Sequence, residues 1–291
     1  MIQRGAVSLG RVNTVLNTRP SIVSPAVIKR PGAGGWEKDI EIRNLSFSYD
    51  DKIVLEQVSV DIKRGSWVGI LGRTGSGKST LIKTLTRTVD PPRGTVFVRG
   101  VDVLDWDLEE LRRLFAVTPQ DSYLFSDSIR NNIGYGLEGS DEERIRRAAE
   151  LAALDKDLAL FAQGWDTTIG ERGLTLSGGQ KQRTAISRAV VMDADFLILD
   201  DSLSAVDTET EKRILTGLLA ERERRIREGR PFTALIVSHR VSALACADLV
   251  LALDQGRIAE SGSPRELLAR GGLYARTAEF QRLELGGSLL G

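Results

Sequence analysis

Gly72-Arg73-Thr74-Gly75-Ser76-Gly77-Lys78-Ser79 decides how this chain folds, together with the apolar run Trp67-Val68-Gly69-Ile70-Leu71 before it. The octet fits G-x-x-x-x-G-K-[ST] at every fixed position. Glycines let backbone N–H groups turn inward around phosphate oxygens. A helix expected from about Lys78 presents its positive N-terminal end to the same anion. Lys78 can reach the outer phosphates, and the Ser79 hydroxyl can ligate Mg²⁺. A nucleoside triphosphate and Mg²⁺ are therefore the implied ligands. Their candidate contacts are Gly72, Arg73, Thr74, Gly75, Ser76, Gly77, Lys78, Ser79 and Thr80.

Outward from this loop, strand and helix signals alternate. Ile40, Ile42, Leu45 and Phe47 suggest strands, as do Val58, Val60 and Ile62, and Thr95–Arg99 is a further candidate. Asp107 is a capping residue that opens a helix. From about Asp121 to Leu176 strand signals are scarce, and Asp141–Leu154 reads as an amphipathic helix, so a helical insert is expected. Alternation resumes with Phe196–Leu199, Glu209–Arg227, Thr233–Val237 and Leu249–Leu253. The pattern predicts an α/β core with a largely parallel sheet. Phe196-Leu197-Ile198-Leu199-Asp200 is an apolar strand ending in an acid. Such an acid lies at the ligand-binding edge of an open sheet, where Asp200 would hold Mg²⁺, usually through water.

The chain has 291 residues, 41% hydrophobic and 27% charged, the balance of a globular protein with a real core. Lys+Arg and Asp+Glu are equal at 40 each, so net charge supplies no pull toward nucleic acid or anionic lipid. The single cysteine, Cys246, excludes an internal disulfide and is expected to be a small packed residue. No run of about 18 apolar residues occurs, so no membrane-spanning helix is expected. Residues 1–38 differ from the rest: a short helix from about Gln3 to Leu16, then an irregular linker punctuated by Pro20, Pro25 and Pro31.

Leu176-Ser177-Gly178-Gly179-Gln180 precedes an expected helix at Lys181–Val190. A Ser-Gly-Gly helix start is again an anion site, with free N–H groups and no bulky side chains. One nucleotide needs one such site; the economical reading is that the second serves a nucleotide held by another subunit. Here the chain resembles the ATP-binding cassette family, over about residues 39–285, with Leu176–Gln180 as the family's signature.

The resemblance implies an ABC ATPase fold with a RecA-like sheet core, an antiparallel β subdomain and a helical, signature-bearing subdomain at about 121–190. It implies a head-to-tail dimer with two ATPs between phosphate loop and opposing signature, contacted by Ser177, Gly178, Gly179 and Gln180. Tyr49 matches the aromatic that stacks on adenine. Gln120 matches the glutamine that senses Mg²⁺ and water and faces the transmembrane domain. Ser204–Asp207 matches the loop crossing the dimer, and His239, the only histidine, matches the γ-phosphate contact.

Thr168-Ile169-Gly170-Glu171-Arg172-Gly173 looks like the exporter loop that touches coupling helices. The leader Ile2–Val12 resembles the cytoplasmic end of a last transmembrane helix, so the chain is expected to be the C-terminal part of a longer polypeptide, with a tail at 286–291. The expected setting is the cytoplasmic face of the membrane, beside a transmembrane domain, fused or separate. One departure stands out: Asp201 occupies the position after the Mg²⁺ aspartate, where the family usually has Glu. That carboxylate polarises the attacking water. Asp is one methylene shorter, so its oxygens fall about 1–1.5 Å short, and errors near 1 Å can cost about 10²-fold in rate. The pair Asp200-Asp201 resembles one half of bacterial heterodimeric multidrug exporters, whose partner carries the catalytic Glu. An importer ATPase, a non-transport relative acting on nucleic acid or ribosomes, and a regulatory ATP-binding module are the competing readings.

Overall fold

A computed structural model describes residues 2–32, 35–139, 141–170 and 175–287. After helix α1 (Ile2–Asn17), strands β1 (Lys38–Tyr49) and β2 (Lys52–Lys63) form a long hairpin. Buried β3 (Trp67–Leu71) and α2 (Lys78–Leu85) follow, then β4 (Val96–Val98), β5 (Val101–Asp102), α3 (Leu108–Arg113) and β6 (Phe115–Thr118). Helices α4 (Ile129–Gly134), α5 (Glu142–Leu151), α6 (Asp155–Leu160) and α7 (Gly178–Val190) come next. The chain then runs through β7 (Phe196–Asp200), α8 (Thr208–Arg227), β8 (Thr233–Ser238), α9 (Val241–Leu244), β9 (Leu249–Asp254), β10 (Arg257–Gly262), α10 (Pro264–Arg270) and α11 (Leu273–Gly287).

Two sheets result. One has the order β10-β9-β3-β8-β7-β6, the other β2-β1-β4-β5. In the first, β9, β3, β8, β7 and β6 are parallel and β10 closes the edge antiparallel to β9. β3, β7 and β8 are buried throughout, which explains why they read as unbroken apolar runs and not as alternating ones. The second sheet is antiparallel. The expected α/β class, with a parallel core and an antiparallel subdomain, is the observed one.

Three apolar clusters hold these layers. One lies between the sheets and takes in Ile40, Leu55, Ile70, Leu81 and Phe196. A second, with Trp67, Ile186, Leu199, Ile214 and Tyr274, packs helices on the other face of the parallel sheet. A third is helical, built on Ile129, Ile133, Ile145, Leu154 and Leu176. Between Asp121 and Leu176 the only β pairing among the described residues is an isolated bridge from Ser128 to Thr168.

A buried polar knot joins the two sheets. Asp39, 2% exposed, accepts from the Trp36 indole at 3.0 Å and the Thr233 hydroxyl at 2.5 Å. The leader is also tied down. The Ser24 hydroxyl donates to Asp107 and accepts from the Leu108 N–H, both at 2.9 Å. Arg30 grips Glu110 through two nitrogens, and Arg87 donates to the Val23 carbonyl at 3.1 Å.

Three local features differ from expectation. Helix α7 begins at Gly178, three residues before Lys181. Its first turn is glycine, which carries no apolar period to read, but Ser177 and Gln180 close a reciprocal cap there. Strand β6 was not evident in the sequence because four residues carry too little alternation. β10, Arg-Ile-Ala-Glu-Ser-Gly, is mostly polar because it is an edge. Cys246 is a half-buried free thiol, raised in pKa by burial.

Candidate functional site

Parallel strands deliver their C-terminal ends to one edge, and here four of them converge. β3 leads into Gly72, β6 is followed by Gln120, β7 ends on Asp200, and β8 precedes His239. A single cleft is lined by Gly72, Thr74, Gly75, Gly77, Lys78, Ser79, Thr80, Gln120, Asp200, Asp201 and His239, with Val54 from β2.

Gly72 and Gly77 are required by space, whereas Gly75 has open space around it and is called for by its φ of +83°. At Gly72 a Cβ would lie 2.4 Å from the Ser76 hydroxyl and 2.7 Å from the Leu253 carbonyl. Gly77 caps α2 at φ +101°, where a Cβ would meet Leu55 at 2.7 Å and the Val54 carbonyl at 2.9 Å. The Lys78 ammonium donates to the carbonyls of Gly72 at 2.7 Å and Arg73 at 2.9 Å, which curls the loop around it. Burial pulls this ammonium below the usual lysine range, against the opposing charges of Asp201 and Asp200. Burial pushes the Asp200 carboxyl above the ordinary carboxylate range, and its hydrogen bond with the Ser79 hydroxyl opposes that shift.

These groups fit the ligands implied by the motif. At Gly72 and Gly77 the loop is packed too tightly for a Cβ, which holds its backbone in place against the cleft. Ser79 and Asp200 form a hard-oxygen pair of the type Mg²⁺ takes, with the remaining positions left to water and phosphate. Among the described residues no group of three or more His, Cys, Asp and Glu gathers as a metal cage.

Asp201 sits in the left-handed region at φ +48°. Its N–H donates to the Val237 carbonyl at 2.9 Å, and its Oδ1 lies 3.0 Å from His239 Nδ1. The loop after it is held by Gln182 of α7. The Gln182 amide donates to the Ser204 hydroxyl at 3.0 Å and accepts from the Ala205 N–H at 2.9 Å. From the other side Arg240 donates to the Val206 carbonyl at 3.0 Å and pairs with Glu211 at 2.9 Å. Asp201, the Ser204–Asp207 loop and the His239 loop are thus one connected unit.

The second Ser-Gly-Gly helix start is elsewhere. None of Ser177, Gly178, Gly179 and Gln180 lines the cleft, and Ser177 and Gly178 are exposed. The Ser177 hydroxyl accepts from the Gln180 N–H at 3.2 Å, and the Gln180 side-chain Oε1 accepts from the Ser177 N–H at 2.9 Å. The Gln180 amide nitrogen is committed to Asp157 at 2.9 Å. At Gly179 a Cβ would press on the Ala205 carbonyl at 3.0 Å, so a side chain there would push on the Ser204–Asp207 loop.

Other sequence candidates also lie off the cleft. Tyr49 is 39% exposed and stands edge-on to Phe47, with ring centroids 5.1 Å apart. Arg73 is exposed. Ser76 is buried, with its hydroxyl unpartnered beneath Gly72. Glu171, Arg172 and Gly173 of the exporter-like loop lie outside the described residues. Val54, Gln182 and Arg240 escaped the sequence reading. Val54 reaches the cleft by tertiary packing alone, whereas Gln182 could have been found as a polar residue on the buried face of α7.

Known proteins resemble the chain at the level these features suggest. The family model described as "ABC transporter" matches residues 55–204. The ATP-dependent lipid A-core flippase of Aromatoleum aromaticum is 42% identical over 283 residues, covering 96% of this chain and 45% of the flippase. The ATM1-type heavy metal exporter of Novosphingobium aromaticivorans is 38% identical over 289 residues, covering 97% of this chain and 45% of the exporter. A solved bacterial Atm1-family ABC exporter with ATP bound superposes with a TM-score of 0.85 at 37% identity, covering 96% of this chain and 48% of that one. The chain spans about half the length of the curated relatives it matches. With the family model matching residues 55–204 and relatives 42% and 38% identical over nearly all of its length, the chain belongs to the ABC transporter family.

Proposed function

We propose that this chain is the ATP-binding and ATP-hydrolysing part of an ABC exporter, with residues 39–285 forming the nucleotide-binding domain and residues 1–38 leading from a transmembrane domain. The observation that carries this reading is the pair of phosphate-type sites. One is a complete cleft at Lys78, Ser79 and Asp200; the other, at Ser177, is exposed and does not line that cleft. An exposed anion site outside its own chain's cleft is suited to another chain's nucleotide.

In this reading Lys78 exchanges its carbonyl partners for phosphate oxygens, which are better acceptors because they are charged. Ser79 and Asp200 would hold Mg²⁺, which would neutralise charge on the outer phosphates. Asp201 orients the attacking water, and His239, held on Asp201 through Nδ1, turns Nε2 toward the γ-phosphate. Gln120 lines the same cleft, where it would sense Mg²⁺ and water, and Tyr49 would pack on adenine once nucleotide is bound. Two cassettes then close on two ATPs. Closure is driven by the higher affinity of the closed state for ATP, and the Gln120 and Glu171 segments would carry it to the membrane domain at the cytoplasmic face. The short Asp201 supports a slow own site and a partner cassette bearing Glu.

Sedimentation velocity and ATP turnover of the purified chain test this. The expected result is MgATP-dependent association and hydrolysis, with Lys78→Ala losing both and ATP affinity falling at least tenfold. A wild type that binds no ATP, or a Lys78→Ala chain that hydrolyses normally, would overturn it.

A further inference from the structure

We propose that Gln281, in the C-terminal helix α11, is a positioning residue for His239; the proposal rests on the ATPase reading above. Nothing in the sequence motifs points to it, since Gln281 lies forty-two positions beyond the histidine.

Helix α11 is fixed at its start. The Glu260 carboxylate of β10 accepts from the N–H groups of Leu273 and Tyr274, and Tyr274 is 1% exposed in the core. Gln281 follows Tyr274 by two helical turns and therefore shares its inward face. From there its amide spans the His239 loop. The Nε2 group donates to the His239 carbonyl at 2.6 Å, and Oε1 accepts from the Val241 N–H at 2.9 Å. Both groups fall in the gap between β8 and the hydrogen bonds of α9, where the backbone cannot satisfy itself.

The geometry of a primary amide matters here. One planar group offers a donor and an acceptor side by side, so it fixes two peptide units and the residue between them. That residue is Arg240, whose guanidinium ties the opposite side of the loop to Val206 and Glu211. His239 therefore stands on a segment gripped from both sides, with its Nδ1 3.0 Å from Asp201. The Asp201 bond selects the ring tautomer; Gln281 sets where the ring stands. A displacement near 1 Å at a reacting group can cost about 10²-fold, so loss of one of two restraints should cost less.

Gln281→Leu removes both bonds at similar volume, and Gln281→Glu keeps the acceptor for Val241 but sets an oxygen against the His239 carbonyl. In the 291-residue chain each variant should lower kcat about tenfold and leave the KM for ATP within about twofold, because Lys78, Ser79 and Asp200 are untouched. A second readout needs no turnover. His239 is the only histidine, so the ring-nitrogen resonances of a histidine-labelled sample come from it alone. The wild type should show one tautomer, and Gln281→Leu should shift its signals toward an average of two, as Asp201→Asn should. If kcat and the imidazole signals are both unchanged in Gln281→Leu, the proposal is wrong. If turnover falls only together with melting temperature while the imidazole signals stay as in the wild type, Gln281 merely packs α11, and the proposal is again wrong. Absence of Lys78-dependent turnover in the wild type would defeat the ATPase reading instead, and the resonances would still decide the role of Gln281.

Discussion

Replacing Asp201 by Glu isolates the carboxylate on which hydrolysis should depend. Asp201 lines the cleft, with its Oδ1 3.0 Å from His239 Nδ1. One added carbon–carbon bond carries the carboxylate about 1.5 Å further toward the bound nucleotide. A misplacement of about 1 Å is worth up to 10²-fold, or roughly 2.7 kcal/mol of barrier. Two further effects attend the change, and only the second opposes the gain. The backbone at φ +48° accommodates Asp, whose short side chain can bond locally, better than Glu, and the strain costs about 1 kcal/mol. That strain is shared by ground and transition states, so it lowers stability and not turnover. The longer side chain can keep its bond to His239 only by folding back, which withdraws it from the cleft. The expected rise in kcat is therefore nearer tenfold than a hundredfold.

The assay is steady-state ATP turnover at protein concentrations that permit association, with nucleotide affinity measured separately. Affinity should change by no more than about twofold, because Lys78 and Ser79 are unaltered. Melting temperature should fall by about 2–4 °C, the expected effect of ~1 kcal/mol in a domain of this size. If the wild type turns over as fast as Asp201→Glu at equal saturation, the carboxylate is not too short. The chain would then be a self-sufficient ATPase, and no Glu-bearing partner would be needed.

Two further outcomes follow from the same cleft. Gly77→Ala places a Cβ 2.7 Å from Leu55 and 2.9 Å from the Val54 carbonyl at φ +101°. It should destabilise the fold by about 1–3 kcal/mol in urea unfolding and abolish the rise in melting temperature that MgATP gives the wild type. Asp200 has its folded-state pKa raised by burial, so its ionised form costs stability at neutral pH; that cost shrinks as pH falls below the folded value and is gone below the ordinary carboxylate range. Asp200→Asn should therefore raise the melting temperature of the nucleotide-free chain at neutral pH, by an amount that shrinks on acidification, while Mg²⁺-dependent nucleotide affinity is lost. A lower melting temperature at neutral pH would show that the Ser79 bond outweighs burial.

Much of this protein is written locally. The phosphate loop announces itself because its glycines answer to the backbone's own geometry. Gly77 stands at a φ that other residues rarely adopt, and its neighbour Lys78 is fixed by carbonyls only five and six residues away. The strands β3, β7 and β8 are legible because each is buried throughout and apolar along its middle, and so the parallel sheet with its acid at the edge could be anticipated. Short or polar elements could not be: β6 is four residues long, and β10 is an edge whose pairing lies in its backbone. Tertiary structure alone decided the rest. That Val54 lines the cleft, that Gln182 grips the Ser204 loop, and that Gln281 brackets His239 all depend on residues far apart in the chain. Motif spacing records what a backbone must do over a few residues. Which amide reaches across from another helix is set by packing, and packing has no period in the sequence to read.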